Sequence, residues 1–109
     1  MKHKIEINGR NLECSFGLGF LGECLENLNL AYYEIGDKVD KNPYKWLPIL
    51  IYESAKYPDK ELDFELKDLI EWLDNSEGTD IMAKFFKAFL NSFNKDVPKS
   101  KEVKGPKKK

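Results

Sequence analysis

Asn8-Gly9, set between two stretches of alternating apolar and polar residues, constrains this chain more than any other feature of its sequence. A two-residue type I′ turn needs positive φ at both central positions, and Asn-Gly is the pair that tolerates this best. Pairing outward from the turn sets Ile7 opposite Arg10, Ile5 opposite Leu12 and Lys4 opposite Glu13. Ile5, Ile7, Leu12, Cys14 and Phe16 then share one face, and Lys4 and Glu13 make an opposite-charge pair on the other. Residues 3–16 are therefore expected to form a β-hairpin. A lone hairpin is marginal in water, so its apolar face has to pack on helices.

Helical spacing takes over after Phe16. Leu18, Leu21, Leu25 and Leu28 define a first stripe, although Gly17, Gly19 and Gly22 lower its intrinsic propensity. Asn29 either ends this helix or caps the next. Tyr32, Tyr33, Ile35 and Val39 suggest a short helix interrupted near Gly36. Asn42-Pro43 reads as an N-cap and first helical position, and Pro58 as the stop. The helix between them carries Leu47, Leu50, Ile51 and Ala55 inward, with Pro48 starting or kinking it. Asp63 is a candidate cap for a helix with Leu66, Leu69, Ile70 and Leu73 on its apolar stripe, and Glu65 suits its first turn. After a loop at Asn75–Gly78, Thr79 is a candidate cap for a last helix bearing Ile81, Met82, Phe85, Phe86, Phe89, Leu90 and Phe93.

The expected fold class is mainly α: one small helical domain of four or five short helices with an N-terminal β-hairpin. A length of 109 residues suits one core and not two. Charge divides the chain. Residues 1–94 hold every aromatic residue and 17 acidic against 11 basic residues, a net −6. Residues 95–109 hold seven lysines against Asp96 and Glu102, a net +5. That composition cannot offset its ordering entropy, so 95–109 is expected to be a disordered basic tail on a 1–94 body. The longest apolar run, Trp46 to Tyr52, is far short of a membrane span. No secretory signal is recognisable, and two cysteines are too few for a disulfide scaffold. Reduced thiols in a cytoplasmic protein are expected.

The motifs that could carry chemistry are thin. Gly17-Leu18-Gly19 lacks the further glycines, lysine and acid of a nucleotide loop, and reads as a strand-to-helix connection. Cys14 and Cys24 have neither Cys-x-x-Cys spacing nor a nearby histidine, and read as small buried residues. Glu23 and Glu26, and likewise Glu65, Asp68 and Glu71, stand three apart, but bundle metal sites usually add Glu-x-x-His and His3 is the sole histidine. No catalytic, metal or cofactor residue is assigned, and no enzyme activity is expected. The stripe Phe85, Phe89, Phe93 has two readings: core, or an apolar face that binds a partner. The basic tail lacks arginine and aromatics, which weakens specific nucleic-acid recognition.

The order of these signatures resembles a known family. Ile5-Glu6-Ile7-Asn8-Gly9-Arg10, then Phe16-Gly17-Leu18-Gly19-Phe20-Leu21, is similar to the opening of tail assembly chaperones of long-tailed bacteriophages. Leu47 to Tyr57 resembles their middle helix, and Phe64 to Asp74, with Leu69-Ile70-Glu71-Trp72-Leu73-Asp74, their next one. The likeness covers residues 3–93. It implies a protein that binds the tape measure protein, keeps its apolar helices soluble and helps recruit tail tube subunits. It implies no cofactor, no membrane and no specific nucleic acid. It also implies a place in the host cytoplasm and absence from the mature virion. In the family a programmed −1 frameshift often makes a longer product whose extension engages the tube protein. Lys107-Lys108-Lys109, encoded by adenine-rich codons, falls where such a site is expected. The alternative function is a small helical nucleic-acid-binding regulator or another adaptor.

Overall fold

The computed structural model describes residues 2–96. The chain forms an antiparallel hairpin and five helices: β1 (Lys2–Ile7), β2 (Arg10–Ser15), α1 (Leu18–Leu28), α2 (Tyr32–Lys41), α3 (Pro43–Lys56), α4 (Leu66–Asp74) and α5 (Gly78–Asp96). It is a small, mainly α domain, as expected. The helix α5 runs two residues past the boundary read at 94. The rest of the basic segment, 97–109, lies outside the described residues.

The hairpin follows its turn chemistry. Asn8 and Gly9 take φ of 54° and 71°, and the register sets Ile7 opposite Arg10, Ile5 opposite Leu12 and Lys4 opposite Glu13. Ile5, Ile7, Leu12, Cys14 and Phe16 are all buried. One detail differs. Glu13 pairs in charge with Lys2, diagonally at 3.7 Å, rather than with the directly opposed Lys4.

Helix α1 forms, but its inward stripe is Phe20 and Cys24. Leu21, Leu25 and Leu28 are only partly buried and Leu18 is 76% exposed. The leucine spacing and the Phe20–Cys24 spacing are both helical, and the packing of Phe20 among Phe16, Tyr57 and Phe89 selects the second. Asn29 ends the helix in the left-handed region at φ 57°. Helix α2 runs unbroken through Gly36, because Ile35 and Val39 are both buried and their burial offsets glycine's weak propensity. Its first turn is closed by Glu34, whose Oε1 accepts from the Ala31 backbone N–H at 2.7 Å.

Helix α3 is the centre of the fold. It starts at Pro43 and buries Leu47, Pro48, Leu50, Ile51, Ser54 and Ala55 against the hairpin and the other helices. Pro48 is accommodated inside the helix rather than at its start. Ser54, fully buried, donates its hydroxyl to the Ile51 carbonyl at 2.9 Å. The cap of α4 is Glu65, not Asp63: Asp68 Oδ2 accepts from the Glu65 N–H at 2.9 Å. Asp63 is taken instead by Arg10, whose Nη1 donates to Oδ1 at 2.7 Å. The Arg10 guanidinium also lies 5.6 Å from the Phe64 ring centre and 5.0 Å from that of Trp72. It thereby latches the hairpin to α4. The Thr79 cap is not used either, since α5 begins at Gly78 and its first helical hydrogen bond runs from the Ile81 N–H to the Glu77 carbonyl.

Candidate partner-binding surface

Phe85, Phe89 and Phe93, the residues singled out as partner contacts, are core residues, exposed by 0%, 3% and 4%. Phe16 from the end of the hairpin meets all three edge-on or tilted, with ring centres 5.5, 5.7 and 6.5 Å away. His3 joins this cluster, its ring 6.5 Å from Phe16 and 6.1 Å from Phe85. Burial there holds the imidazole below its ordinary pKa of 6.5. The physical reason for the correction is geometric. The hairpin's apolar face needs a cover, and the aromatic stripe of α5 supplies it. The three rings are closed off from the surface.

The buried thiols offer no reactive site. Burial pushes Cys14 up to about 11, with Ser54 pulling weakly the other way, and Cys24 up to about 12, helped by the Glu53 charge. A thiol so raised is protonated at neutral pH and a poor nucleophile. Among the described residues, no group of three or more His, Cys, Asp or Glu side chains is placed to hold a metal ion.

Among the described residues Leu18, Tyr32, Tyr33 and Leu90 are also exposed, but a recess with exposed apolar side chains on its rim lies at the other end of α5. Pro48 cannot donate a backbone hydrogen bond, so the Tyr44 carbonyl lacks its usual i+4 donor in the first turns of α3. The turn at residues 75–77 then brings the start of α5 hard against the end of α4. Gly78 is buried there, and a Cβ at that position would collide with the Leu73 carbonyl. Between these elements runs an open groove of about 230 Å³, lined by Tyr44, Pro48, Ile70, Leu73, Thr79 and Met82 among others. Pro48, Leu73 and Met82 are buried and make an apolar floor. Tyr44, 70% exposed, and Ile70, 40% exposed, stand on the rim. A second recess, of about 210 Å³ between β2 and residues 58–62, has no exposed large apolar side chain in its lining.

The groove is acidic as well as apolar. From α4 into α5 a carboxylate recurs every third residue: Glu65, Asp68, Glu71, Asp74, Glu77 and Asp80, with Lys67 the one basic residue in the interval. Asp68 is used by the cap, and Asp80 pairs with Lys84 at 3.2 Å. Glu71, Asp74 and Glu77 form no ion pair among the described residues. Asp74 lines the groove itself.

Sequence reasoning assigned Ile70 and Met82 to the apolar stripes of their helices, read Pro48 only as a start or kink of its helix, and gave Tyr44 no role. The one available signal was local, an exposed aromatic directly after Asn-Pro. The groove itself joins three elements that no local pattern connects. Comparison of the chain with protein families, with curated proteins and with solved structures gives no match.

Proposed function

We propose that this protein is a tail assembly chaperone of a long-tailed bacteriophage, which binds apolar helical segments of the tape measure protein, keeps them soluble and helps recruit tail tube subunits. The observation that carries this reading is the apolar ledge of Tyr44 and Ile70 over the floor of Pro48, Leu73 and Met82, where exposed apolar side chains stand at the rim of a recess. Exposed apolar side chains gathered at a recess are what helix-in-groove recognition uses. The resemblance of residues 3–93 to that family supplies the identity of the partner. The net −6 of residues 1–94 and Asp74 in the groove lining oppose phosphate backbones and support a protein partner. The protein acts in the host cytoplasm and does not remain in the virion. No helix among the described residues is long and apolar enough to cross a membrane. The tube subunits are engaged through a longer frameshift product, which the gene itself tests by an open −1 frame beyond the terminal lysine codons.

Co-expression with the tape measure protein is the direct test. The soluble yield of that protein should rise, and Tyr44→Ala with Ile70→Ala should abolish most of the gain while the chaperone stays folded. An unchanged yield with well-folded wild-type chaperone overturns the reading.

A further inference from the structure

We infer that the groove between α3, α4 and the start of α5 receives residues 104–109 of the chain's own C-terminal segment, with 97–103 as the tether. The inference is independent of the proposed partner. It rests on charge, on apolar complementarity and on reach.

Charge comes first. Asp74 lines the groove, and neither it nor Glu71 and Glu77, three residues to either side in sequence, has an ion-pair partner among the described residues. Residues 97–109 read Val-Pro-Lys-Ser-Lys-Glu-Val-Lys-Gly-Pro-Lys-Lys-Lys, six lysines against one glutamate. Opposite charges held on one chain meet at an effective concentration on the order of mM, so even weak attractions populate the contact. The long aliphatic stems of lysine can also lie along Tyr44 and Ile70 while their ammonium groups face carboxylates.

Reach comes second. Met82 lies 14 positions before Asp96 on α5, a helical distance of roughly 21 Å. Eight extended residues span roughly 26 Å, so everything from Lys104 onward can return along α5 to the groove. The segment before it, including Lys99 and Lys101, is left as the tether.

The full-length chain with Gly105→Cys, carrying a nitroxide on that thiol, tests the inference by NMR. Cys14 and Cys24 are buried and protonated, which directs the label to the new cysteine. With a local concentration on the order of mM, the amide signals of Ile70, Asp74 and Gly78 should lose about half their intensity or more. The loss should vanish in about 1 M NaCl, where the screening length is about 3 Å. It should vanish also when Glu71→Gln, Asp74→Asn and Glu77→Gln are combined. Broadening confined to the last turns of α5 overturns the inference, as does broadening that survives both salt and the triple substitution. A mixture of isotope-labelled unmodified chain with spin-labelled unenriched chain separates the remaining outcome. Equal broadening in that mixture means that the segment reaches a second copy, and the intramolecular placement is then wrong.

Discussion

The two ends of α5 make a comparison within one helix. Its later turns carry Phe85, Phe89 and Phe93 into a dry cluster closed by Phe16 and Phe20. Its first turns carry Thr79 and Met82 to an open groove with Tyr44 and Ile70 on the rim. Both ends are apolar, and only one is finished. The difference comes from what is available to cover each. The hairpin's five-residue apolar face is covered by α3 and the later turns of α5, whereas beside the first turns of α5 a groove stays open. An aromatic stripe is therefore a poor guide to a binding face, and a gap between elements a better one.

The comparison breaks most severely at Phe85. Phe85→Ala should cost about 3–5 kcal/mol, because a fully buried ring in contact with Phe16, Phe89 and His3 leaves a cavity the cluster cannot collapse into. Urea denaturation measures it, and a cost below about 1 kcal/mol would contradict the closed cluster. Gly78→Ala comes next. Its Cβ meets the Leu73 backbone, and forcing the α4–α5 corner apart should cost about 1–3 kcal/mol and alter the groove along with it. Thermal unfolding of this variant should show a lower midpoint than that of Gly22→Ala, where a Cβ meets nothing. Arg10→Ala should cost about 1 kcal/mol through its lost stacking on Phe64 and Trp72.

Acidity probes the closed end through His3. His3 is held below 6.5 in the fold, so the unfolded chain takes up its proton first, and stability falls as pH drops below about 6.5. Cys14 and Cys24 are raised from 9.0 to about 11 and about 12, so the unfolded chain ionises first at high pH, and stability falls again above about pH 9. A plateau between these limits should appear in denaturation midpoints taken across pH, and His3→Phe should remove the acidic shoulder attributed to His3. The smallest effect belongs to the open end. Tyr44→Ala should shift stability by no more than about 0.5 kcal/mol, since the ring is mostly in water. A larger loss would mean that the rim is part of the core.

Several of these features were legible before any coordinates. The hairpin was, because Asn8-Gly9 and the alternation around it agree at short range. The limits of α3 were, because Pro43 and Pro58 act on their own backbone. Elsewhere local signals competed. Leu18, Leu21, Leu25 and Leu28 and the pair Phe20 and Cys24 satisfy the same period, and only tertiary packing on Phe16, Tyr57 and Phe89 decides between them. Gly36 did not interrupt α2, since the burial of Ile35 and Val39 outweighs a propensity deficit of about 1 kcal/mol. Asp63 had the chemistry of a cap and was claimed by an arginine far away in sequence. Phe85, Phe89 and Phe93 were correctly seen as one stripe, but which surface they meet is a tertiary fact. The groove was invisible for the same reason, being a space between three helices and not a property of any of them.

The Arg10 latch has a consequence in time. Its two partners are 53 residues apart, whereas the hairpin closes over a two-residue turn. Closing so long a loop costs entropy that has to be met before the contact repays it, so the hairpin can form early and the latch only once α3 and α4 are docked. An interaction absent from the transition state acts on the exit from the native basin. Loss of Arg10 should leave the refolding rate nearly unchanged and make the folded chain open faster, so the chain's one arginine serves chiefly to lengthen the lifetime of the folded state.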